Sequence, residues 1–263
     1  MSSLLFFDID GTLITLDKRH AMPESARKAL LKAKENGHKI IINTGRVKTA
    51  IDKHLLEFGF DGLVCGCGTY IEYEGKELFH QRLSRDKCME YAAKLHDLGY
   101  ETLFEGNERL FIDGEYGPGT FMSFIYDYFS KNSDYPIDKT SSPDFIFDKF
   151  TTSSKEGSDI TGFNEYFGDV FDLIPHGPVV IEAVPKGFSK ATGIKLLMDR
   201  LDVPIEDCYA FGDSVNDLEM LRFVKHSVAM GNSVEDILDK VEYRTTDIED
   251  NGISNALRYY CLI

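Results

Sequence analysis

The chain is short of basic residues, of cysteine and of long apolar runs. Lys plus Arg number 29 against 44 Asp plus Glu, a formal net charge of −15. That balance excludes a nonspecific nucleic-acid binder, which needs a basic surface. It leaves room for a small anionic ligand, because one bound divalent cation and a few placed cations reverse the field locally. No apolar run approaches the roughly 20 residues of a membrane span. No basic stretch followed by an apolar core opens the sequence, so no secretory signal is expected. The cysteines, Cys65, Cys67, Cys88, Cys208 and Cys261, are odd in number and widely scattered. Such a set is no disulfide framework and suits a reducing cytoplasm. Cys65-Gly66-Cys67 lacks the second pair of a zinc site and reads as small residues at a buried strand end. Internal repeats and low-complexity tracts are absent too.

What is present is ordinary for a globular protein: 263 residues, 43% hydrophobic and 28% charged, enough for two domains. Leu4 to Phe7 is an apolar run that reads as a strand buried on both faces, as in parallel sheets covered by helices. It ends in Asp8-Ile9-Asp10-Gly11-Thr12. In extended chain Asp8 and Asp10 point to the same side. Like charges that close repel unless a cation or proton lies between them.

A helix is expected from Pro23-Glu24, with Ala26, Ala29, Leu30 and Ala33 on one stripe and Gly37 closing it. Lys39 to Asn43 is a second strand, leading into Thr44-Gly45-Arg46. A helix carrying Ile51, Leu55 and Phe58 follows, then a strand from Gly62 to Cys65. This β-α-β-α-β order predicts a doubly wound parallel sheet with ligands at the carboxyl ends of the strands. Alternation returns after Pro185-Lys186-Gly187. Ser189 is a helix N-cap candidate, with Ile194, Leu197, Met198 and Leu201 as a stripe. Cys208 to Phe211 is a strand ending in Gly212-Asp213-Ser214-Val215-Asn216-Asp217. Leu218 to Val224 continues as helix. Ser227 to Met230 is a strand ending in Gly231-Asn232. Helical turns around Asp236 and from Asp250 onward complete the chain.

Between these halves the pattern changes. Ile71 to Phe79 reads as a hairpin around Glu74-Gly75-Lys76. Beyond it, helices are expected at Tyr91–Leu98 and Phe121–Phe129. Extended segments are expected at Leu110–Ile112, Phe145–Phe150 and Val179–Val184, with a glycine-proline loop at Gly114–Gly119. The expectation is an α/β protein: a Rossmann-like, doubly wound parallel-sheet core of residues 1–81 and 185–263. An inserted α+β cap of residues 82–184 would act as a lid.

Four polar sets fall where strands end or helices begin: Asp8/Asp10, Thr44/Gly45/Arg46, Lys190, and Asp213/Asn216/Asp217. A carboxylate such as Asp8 can accept a phosphoryl group, and Asp10 can protonate a leaving oxygen and later deprotonate water. Asp213 would join Asp8 and the backbone carbonyl of Asp10 around a hard cation, for which magnesium is suited. The Asp8-Asp10 pair also admits the plainer reading of a solvated strand end. Thr44 and Gly45 read equally well as an anion site at a helix start and as a simple N-cap. Arg46 reads as a surface charge. Lys190, in a first helical turn, opposes the helix dipole unless a phosphate lies nearby, the alternative being an exposed lysine. Asn216 is a candidate phosphate contact, and Asp217 a group that orients Asn216 or Lys190.

Together these motifs resemble the haloacid dehalogenase superfamily, and within it the Cof-type sugar-phosphate phosphatases. Phe7-Asp8-Ile9-Asp10-Gly11-Thr12-Leu13 is similar to the first motif and Asn43-Thr44-Gly45-Arg46 to the second. Pro185 to Lys190 resembles the approach to the family lysine. Phe211 to Met220 resembles the fourth motif, and Glu249-Asp250-Asn251-Gly252-Ile253 the C-terminal signature. The resemblance implies a capped Rossmann-like core, a Mg²⁺ requirement, a covalent aspartyl-phosphate and a small phosphorylated metabolite as substrate. Neither nucleic acid nor membrane is an expected partner. Pyridoxal or flavin phosphates, a phosphomannomutase-like transfer and a noncatalytic phosphate sensor are the alternatives. The sequence departs from the family pattern at Cys67-Gly68-Thr69, where an asparagine is common in place of the thiol. It departs again at Ala191, where glycine is frequent.

Overall fold

The structure, a computed structural model, describes residues 2–112, 119–132 and 135–263. In chain order the elements begin with β1 (Leu4–Phe7), α1 (Glu24–Glu35), β2 (Lys39–Asn43), α2 (Lys53–Phe58), β3 (Gly62–Cys65), β4 (Tyr70–Tyr73) and β5 (Lys76–His80). There follow α3 (Arg85–Asp97), β6 (Glu101–Glu105), β7 (Leu110–Ile112), α4 (Phe121–Asn132), β8 (Ile137–Lys139), β9 (Lys149–Ser153), α5 (Ile160–Phe167), β10 (Phe171–Pro175) and β11 (Val180–Pro185). The chain closes with α6 (Lys190–Leu201), β12 (Cys208–Gly212), α7 (Leu218–Phe223), β13 (His226–Ala229), α8 (Glu235–Leu238), β14 (Tyr243–Arg244) and α9 (Gly252–Tyr259). These form two compact units, one of Met1–Gly45, Phe60–Leu78 and Ser189–Ile263, the other of Arg46–Gly59 and Phe79–Phe188.

The first unit carries a sheet in the order β14-β13-β12-β1-β2-β3-β4-β5. From β14 to β3 every neighbouring pair is parallel, and β4 returns antiparallel along β3. The strands LLFF, KIIIN, GLVC and CYAFG are almost wholly apolar because helices must cover both faces of a parallel sheet. This is the expected α/β class with a Rossmann-like core. Phe7 is in register with Ile42 on one side and Phe211 on the other. The residues that follow β1, β2 and β12 therefore leave the sheet at one edge, where open α/β sheets bind ligands. In α1 the stripe of Ala26, Ala29, Leu30 and Ala33 is buried. Gly37, at φ +93°, ends it while its N–H donates to Lys34 O and the N–H of His38 to Ala33 O. Glu74 and Gly75 both take positive φ, as a two-residue hairpin turn between β4 and β5 requires.

In the second unit the sheet order is β10-β11-β9-β6-β7-β8. All its pairs are antiparallel except β7 with β8. One face places Phe104 and Phe150 against Tyr91 and Leu95 of α3 and Phe163 and Phe167 of α5, all buried. The alternate residues Glu105, Lys149 and Glu182 form a buried ion cluster. Lys149 Nζ donates to Glu182 Oε1 (2.6 Å) and pairs with Glu105 Oε1 (3.2 Å).

The grouping into units and the bounds of several elements differ from the sequence expectations. Arg46–Gly59 groups with the second unit rather than with the first. The reason is packing: Val47 and Ala50 share an apolar cluster with Leu103, Leu110, Ile112 and Met122. Thr49 Oγ1 also donates to Gly106 O (2.7 Å). The divisions at Leu78/Phe79 and Phe188/Ser189 likewise differ by a few residues from the expected cap of 82–184. No regular strand exists before Lys149 in the expected segment Phe145–Phe150, although Phe145 and Phe147 are fully buried. Helix α3 starts at Arg85, well before Tyr91, because Ser84 caps it by accepting from Lys87 N. The strands β6, β8 and β10 and the helix α5 carry no clear sequence pattern. Of the expected loop Gly114–Gly119, only Gly119 lies within the described residues. No helix among the described residues is long and apolar enough to cross a membrane.

Candidate active site

Asp8 follows β1 directly, and its N–H donates to Phe211 O (3.0 Å), extending the ladder by one step. Its side chain is buried. Lys190 is the first residue of α6, which Ser189 caps by accepting from Thr192 N while Thr192 Oγ1 receives the Ser189 N–H. The cap fixes the helix start, and the helix start aims the lysine at the end of β1. Lys190 Nζ donates to Asp8 Oδ1 (2.6 Å) and to Asp217 Oδ1 (2.5 Å), all three residues being buried. A cation in the first turn of a helix is disfavoured by the dipole, and these two carboxylates offset that cost. Asp217 Oδ2 faces the other way and accepts from Asp213 N (3.0 Å) and Ser214 N (3.1 Å). Both oxygens of Asp217 are thereby occupied.

Asp213 is buried beside the loop that follows β1, and its Oδ1 accepts from Thr12 Oγ1 (3.0 Å). Gly11, at φ +78°, lies so close that a Cβ there would stand 2.7 Å from Asp213 Cγ and overlap Oδ2. Only glycine allows both the backbone angle and the approach. Carboxylate oxygens of Asp8, Asp213 and Asp217 lie within 4.8 Å of one another.

This crowd of anions is short of positive charge. Burial, then Asp217, push the Asp8 carboxyl up to about 8, against the pull of Lys190. Burial, again followed by Asp217, takes Asp213 up to about 7. Burial alone would lower the Lys190 ammonium, but Asp217 and Asp8 outweigh it and hold the group above its ordinary value. Hard oxygen donors, mutual repulsion and a cradle kept open by Gly11 fit a hard divalent cation. Asp8 and Asp213 are the side chains suited to hold it. Asp217 is as close, but its oxygens are taken, so it holds Lys190 instead.

The other anticipated residues are placed as follows. Asp10 is partly exposed, and its side chain is outside the buried carboxylate group, although its charge reaches Asp213. Thr44 is buried at the end of β2, with its N–H donating to Val64 O (2.9 Å) and its carbonyl accepting from Cys67 N (3.1 Å). Gly45 is next in line and half-buried. No helix starts there: a single 3₁₀ turn at Lys48–Ala50 intervenes, and α2 begins only at Lys53. The helix start that both readings of Thr44 and Gly45 assume, N-cap and anion site alike, is therefore corrected. Arg46 turns to its own unit, where Nη1 donates to Ala50 O and Asp52 Oδ2, each at 3.0 Å. Asn216 is exposed on the Val215–Asp217 turn, its Oδ1 accepting from Ser214 Oγ (2.6 Å), apart from the buried carboxylates. Cys67 sits in a left-handed turn (φ +55°), half-buried, rather than at a strand end.

Two asparagines at the site lacked any assigned part. Asn43 is fully buried, and its Nδ2 donates to Lys190 O (3.1 Å). A polar residue closing the run KIIIN was the available signal. Asn232 donates from Nδ2 to Gly11 O (2.8 Å).

A sequence profile described as haloacid dehalogenase-like hydrolase matches residues 5–257. The chain belongs to the haloacid dehalogenase-like hydrolases. The Cof-type resemblance and the reading as a phosphoric monoester hydrolase, both drawn from its motifs, stand. YkrA of Bacillus subtilis (strain 168) is 27% identical over 264 residues, covering 98% of this hydrolase and 97% of YkrA. A solved structure from Geobacillus kaustophilus HTA426 superposes with a TM-score of 0.86 at 29% identity, over 100% of both chains. The HAD subclass IIB sugar phosphatase BT4131 gives a TM-score of 0.81 at 25% identity, also over 100% of both chains.

Proposed function

We propose that this hydrolase is a Mg²⁺-dependent phosphatase of small soluble phosphomonoesters, chiefly hexose phosphates, working through an aspartyl-phosphate on Asp8. The observation that carries the mechanism is the buried carboxylate of Asp8, pinned through Oδ1 by Lys190 and faced by Asp213. With Oδ1 committed to Lys190, Oδ2 is the oxygen left for attack, and fixing the carboxylate in this way favours near-attack positioning. Sugar phosphate as the substrate class draws on the likeness to BT4131.

Asp8 Oδ2 attacks phosphorus, and the bond from phosphorus to the ester oxygen breaks. Asp10 delivers a proton to that oxygen, so the alcohol leaves neutral. Asp10, now a carboxylate, takes a proton from water as the water oxygen attacks phosphorus. The bond to Asp8 breaks, and inorganic phosphate and the free Asp8 carboxylate result. Lys190 neutralises charge on Asp8 and the phosphoryl oxygens, while Asp217 keeps its ammonium in place. Thr44, the Gly45 backbone and Asn216 are assigned the phosphoryl group on the motif resemblance, Asn216 having to leave its bond with Ser214 Oγ to reach it. Asp8, Asp213 and the Asp10 carbonyl would hold a Mg²⁺ ion, which would supply the positive charge that lets an anionic nucleophile meet an anionic ester. Selection of the leaving group is assigned to the second unit, and the cytoplasm is the proposed compartment.

The test is phosphate release from p-nitrophenyl phosphate, then from a panel of hexose, nucleotide and cofactor phosphates, with and without Mg²⁺. Release is expected with Mg²⁺ and is lost with chelator. Asp8→Asn abolishes it while the protein remains folded. Undiminished turnover by Asp8→Asn would remove Asp8 as nucleophile.

A further inference from the structure

The turn after β13 holds the loop that carries Asp10. Asn232 Nδ2 donates to the carbonyl of Gly11 (2.8 Å), and Asn232 Oδ1 accepts from the N–H of Ile248 (3.0 Å). One carboxamide thus bridges two backbone groups that lie 221 residues to one side and 16 to the other. Its orientation is fixed by chemistry: turned over, it would set amide against N–H and oxygen against carbonyl. The anchor behind it is firm. Gly231 N donates to Thr246 O (2.9 Å), and Arg244 Nη2 donates to Gly231 O (3.1 Å). A Cβ on Gly231 would overlap Asp247 N and stand 2.8 Å from Asp247 Cα, so the backbones there are in direct contact.

Gly11 is the residue whose freedom most needs limiting. It occupies φ +78°, and glycine has more alternative conformations than any other residue. Its N–H donates to Ile14 O (2.9 Å), which fixes one side of the residue. On the carbonyl side its partner is Asn232. Pinned at both ends, Gly11 sets the direction of the Asp10–Gly11 peptide before it and of Thr12 after it, whose Oγ1 reaches Asp213. Asp10 is partly exposed, and the Asp10–Gly11 peptide that carries it is set by these two bonds.

We propose that Asn232 is a positioning residue for proton transfer by Asp10, acting through the carbonyl of Gly11. The inference rests on the reading of Asp10 as the acid that protonates the leaving oxygen. Misplacing a catalytic group by about an ångström costs on the order of 10²-fold in rate. The loss must fall unevenly. An ester whose leaving group is a strong base needs the proton, and one with a weakly basic leaving group departs without it.

The experiment compares kcat/KM for phenyl phosphate and p-nitrophenyl phosphate, which differ little in size and much in leaving-group basicity. This ratio of constants reports phosphoryl transfer to Asp8 and not the later hydrolysis. Asn232→Asp keeps an acceptor for Ile248 N and loses the donor to Gly11. Asn232→Leu loses both bonds. Each is expected to lower kcat/KM by ~10²-fold on phenyl phosphate and by ~10-fold or less on p-nitrophenyl phosphate, mostly in kcat. Arg19→Met removes the ion pair of Arg19 with Glu249, a second tie to the same C-terminal segment, and leaves both values as in the parent. An equal fall on both substrates with a lowered Tm means mere structural support and overturns the proposal, as does no fall at all. If Asn232→Leu does not fold, Asn232→Asp decides alone. Asp10→Asn is measured alongside. If it lacks the leaving-group selectivity, the acid assignment fails and takes this inference with it. If Asp10→Asn is selective and the Asn232 variants are not, only the inference fails.

Discussion

Removing divalent metal should make this hydrolase less stable as pH rises from 5 to 8, the reverse of what most acidic proteins do. Asp8 is taken up to about 8 and Asp213 to about 7, burial being the first cause in both. In the unfolded chain an aspartate titrates near about 3.9. Between these limits the folded state binds protons that the unfolded state has released. Stability therefore falls with pH by about 1.4 kcal/mol per pH unit for each such proton. One proton shared by the cluster gives about 3 kcal/mol between pH 5 and 7, and two would double it. With an unfolding entropy of roughly 2.1 cal/mol/K per residue, 3 kcal/mol lowers Tm by about 5 °C in a chain of this size. Lys190 adds no slope here, because its ammonium stays protonated in both states below about pH 10. Glu182, drawn down to about 2 although burial opposes this, gains its stability below pH 5 and is flat above it. Glu105 and Asp148, raised chiefly by burial, and His176, raised by its bond to Glu182, lose stability with rising pH as the site does. Magnesium separates them. A cation at Asp8 and Asp213 competes with protons for the same oxygens, so saturating Mg²⁺ should flatten only the part of the slope that the site contributes. The assay is calorimetric or CD melting at several pH values, with chelator and with Mg²⁺. A Tm that rises with pH in chelator, or a slope untouched by Mg²⁺, would refute the reading of the cluster as protons standing in for a cation.

Two substitutions test its parts. Lys190→Met leaves buried Asp8 and Asp217 without their shared ammonium, and breaking a buried pair in this way costs about 3–5 kcal/mol; Tm should fall in step, turnover should vanish, and a stable, active variant would contradict the geometry. Gly11→Ala places a methyl group against the Asp213 carboxylate at a backbone angle that alanine disfavours. Misorienting a metal-holding carboxylate is expected to weaken Mg²⁺ activation by roughly 10–100-fold, read as the Mg²⁺ concentration for half-maximal rate.

How far the sequence disclosed this arrangement depended on burial pattern. Strands of the parallel sheet are covered on both faces, so LLFF, KIIIN, GLVC and CYAFG announce themselves as apolar runs, and the carboxylates after them stand out by contrast. In the second unit the same signal is disguised. Strand β9 reads KFTTS because Lys149 is buried against Glu105 and Glu182, so a central strand shows a charge where an apolar residue would be expected. Conversely, Phe145 and Phe147 mimic a strand while lying in irregular chain, since ring packing against Phe104 needs no ladder. Aromatic burial and strand geometry are separate facts, and only the first was written in the residues there.

The carboxylates proposed to act stand out in the sequence for a different reason from the groups that aim them. Asp8 and Asp213 are charges at strand ends, conspicuous by type. Asp217, Asn43 and Asn232 act through backbone groups that no residue letter records: Asp213 N and Ser214 N, Lys190 O, and Gly11 O with Ile248 N. Asp217 is expected from sequence to orient Lys190, which its Oδ1 does (2.5 Å), but its second oxygen is taken by Asp213 N and Ser214 N, which no residue type reveals. The Thr44 N-cap failed likewise, because whether a helix begins at Gly45 is decided by Val47 and Ala50 packing into the second unit's core. Sequence thus exposes the groups proposed to meet the substrate. The network that holds them is made largely of main-chain donors and acceptors, and it becomes visible only when the loops after β1, β12 and β13 are brought to one edge of the sheet.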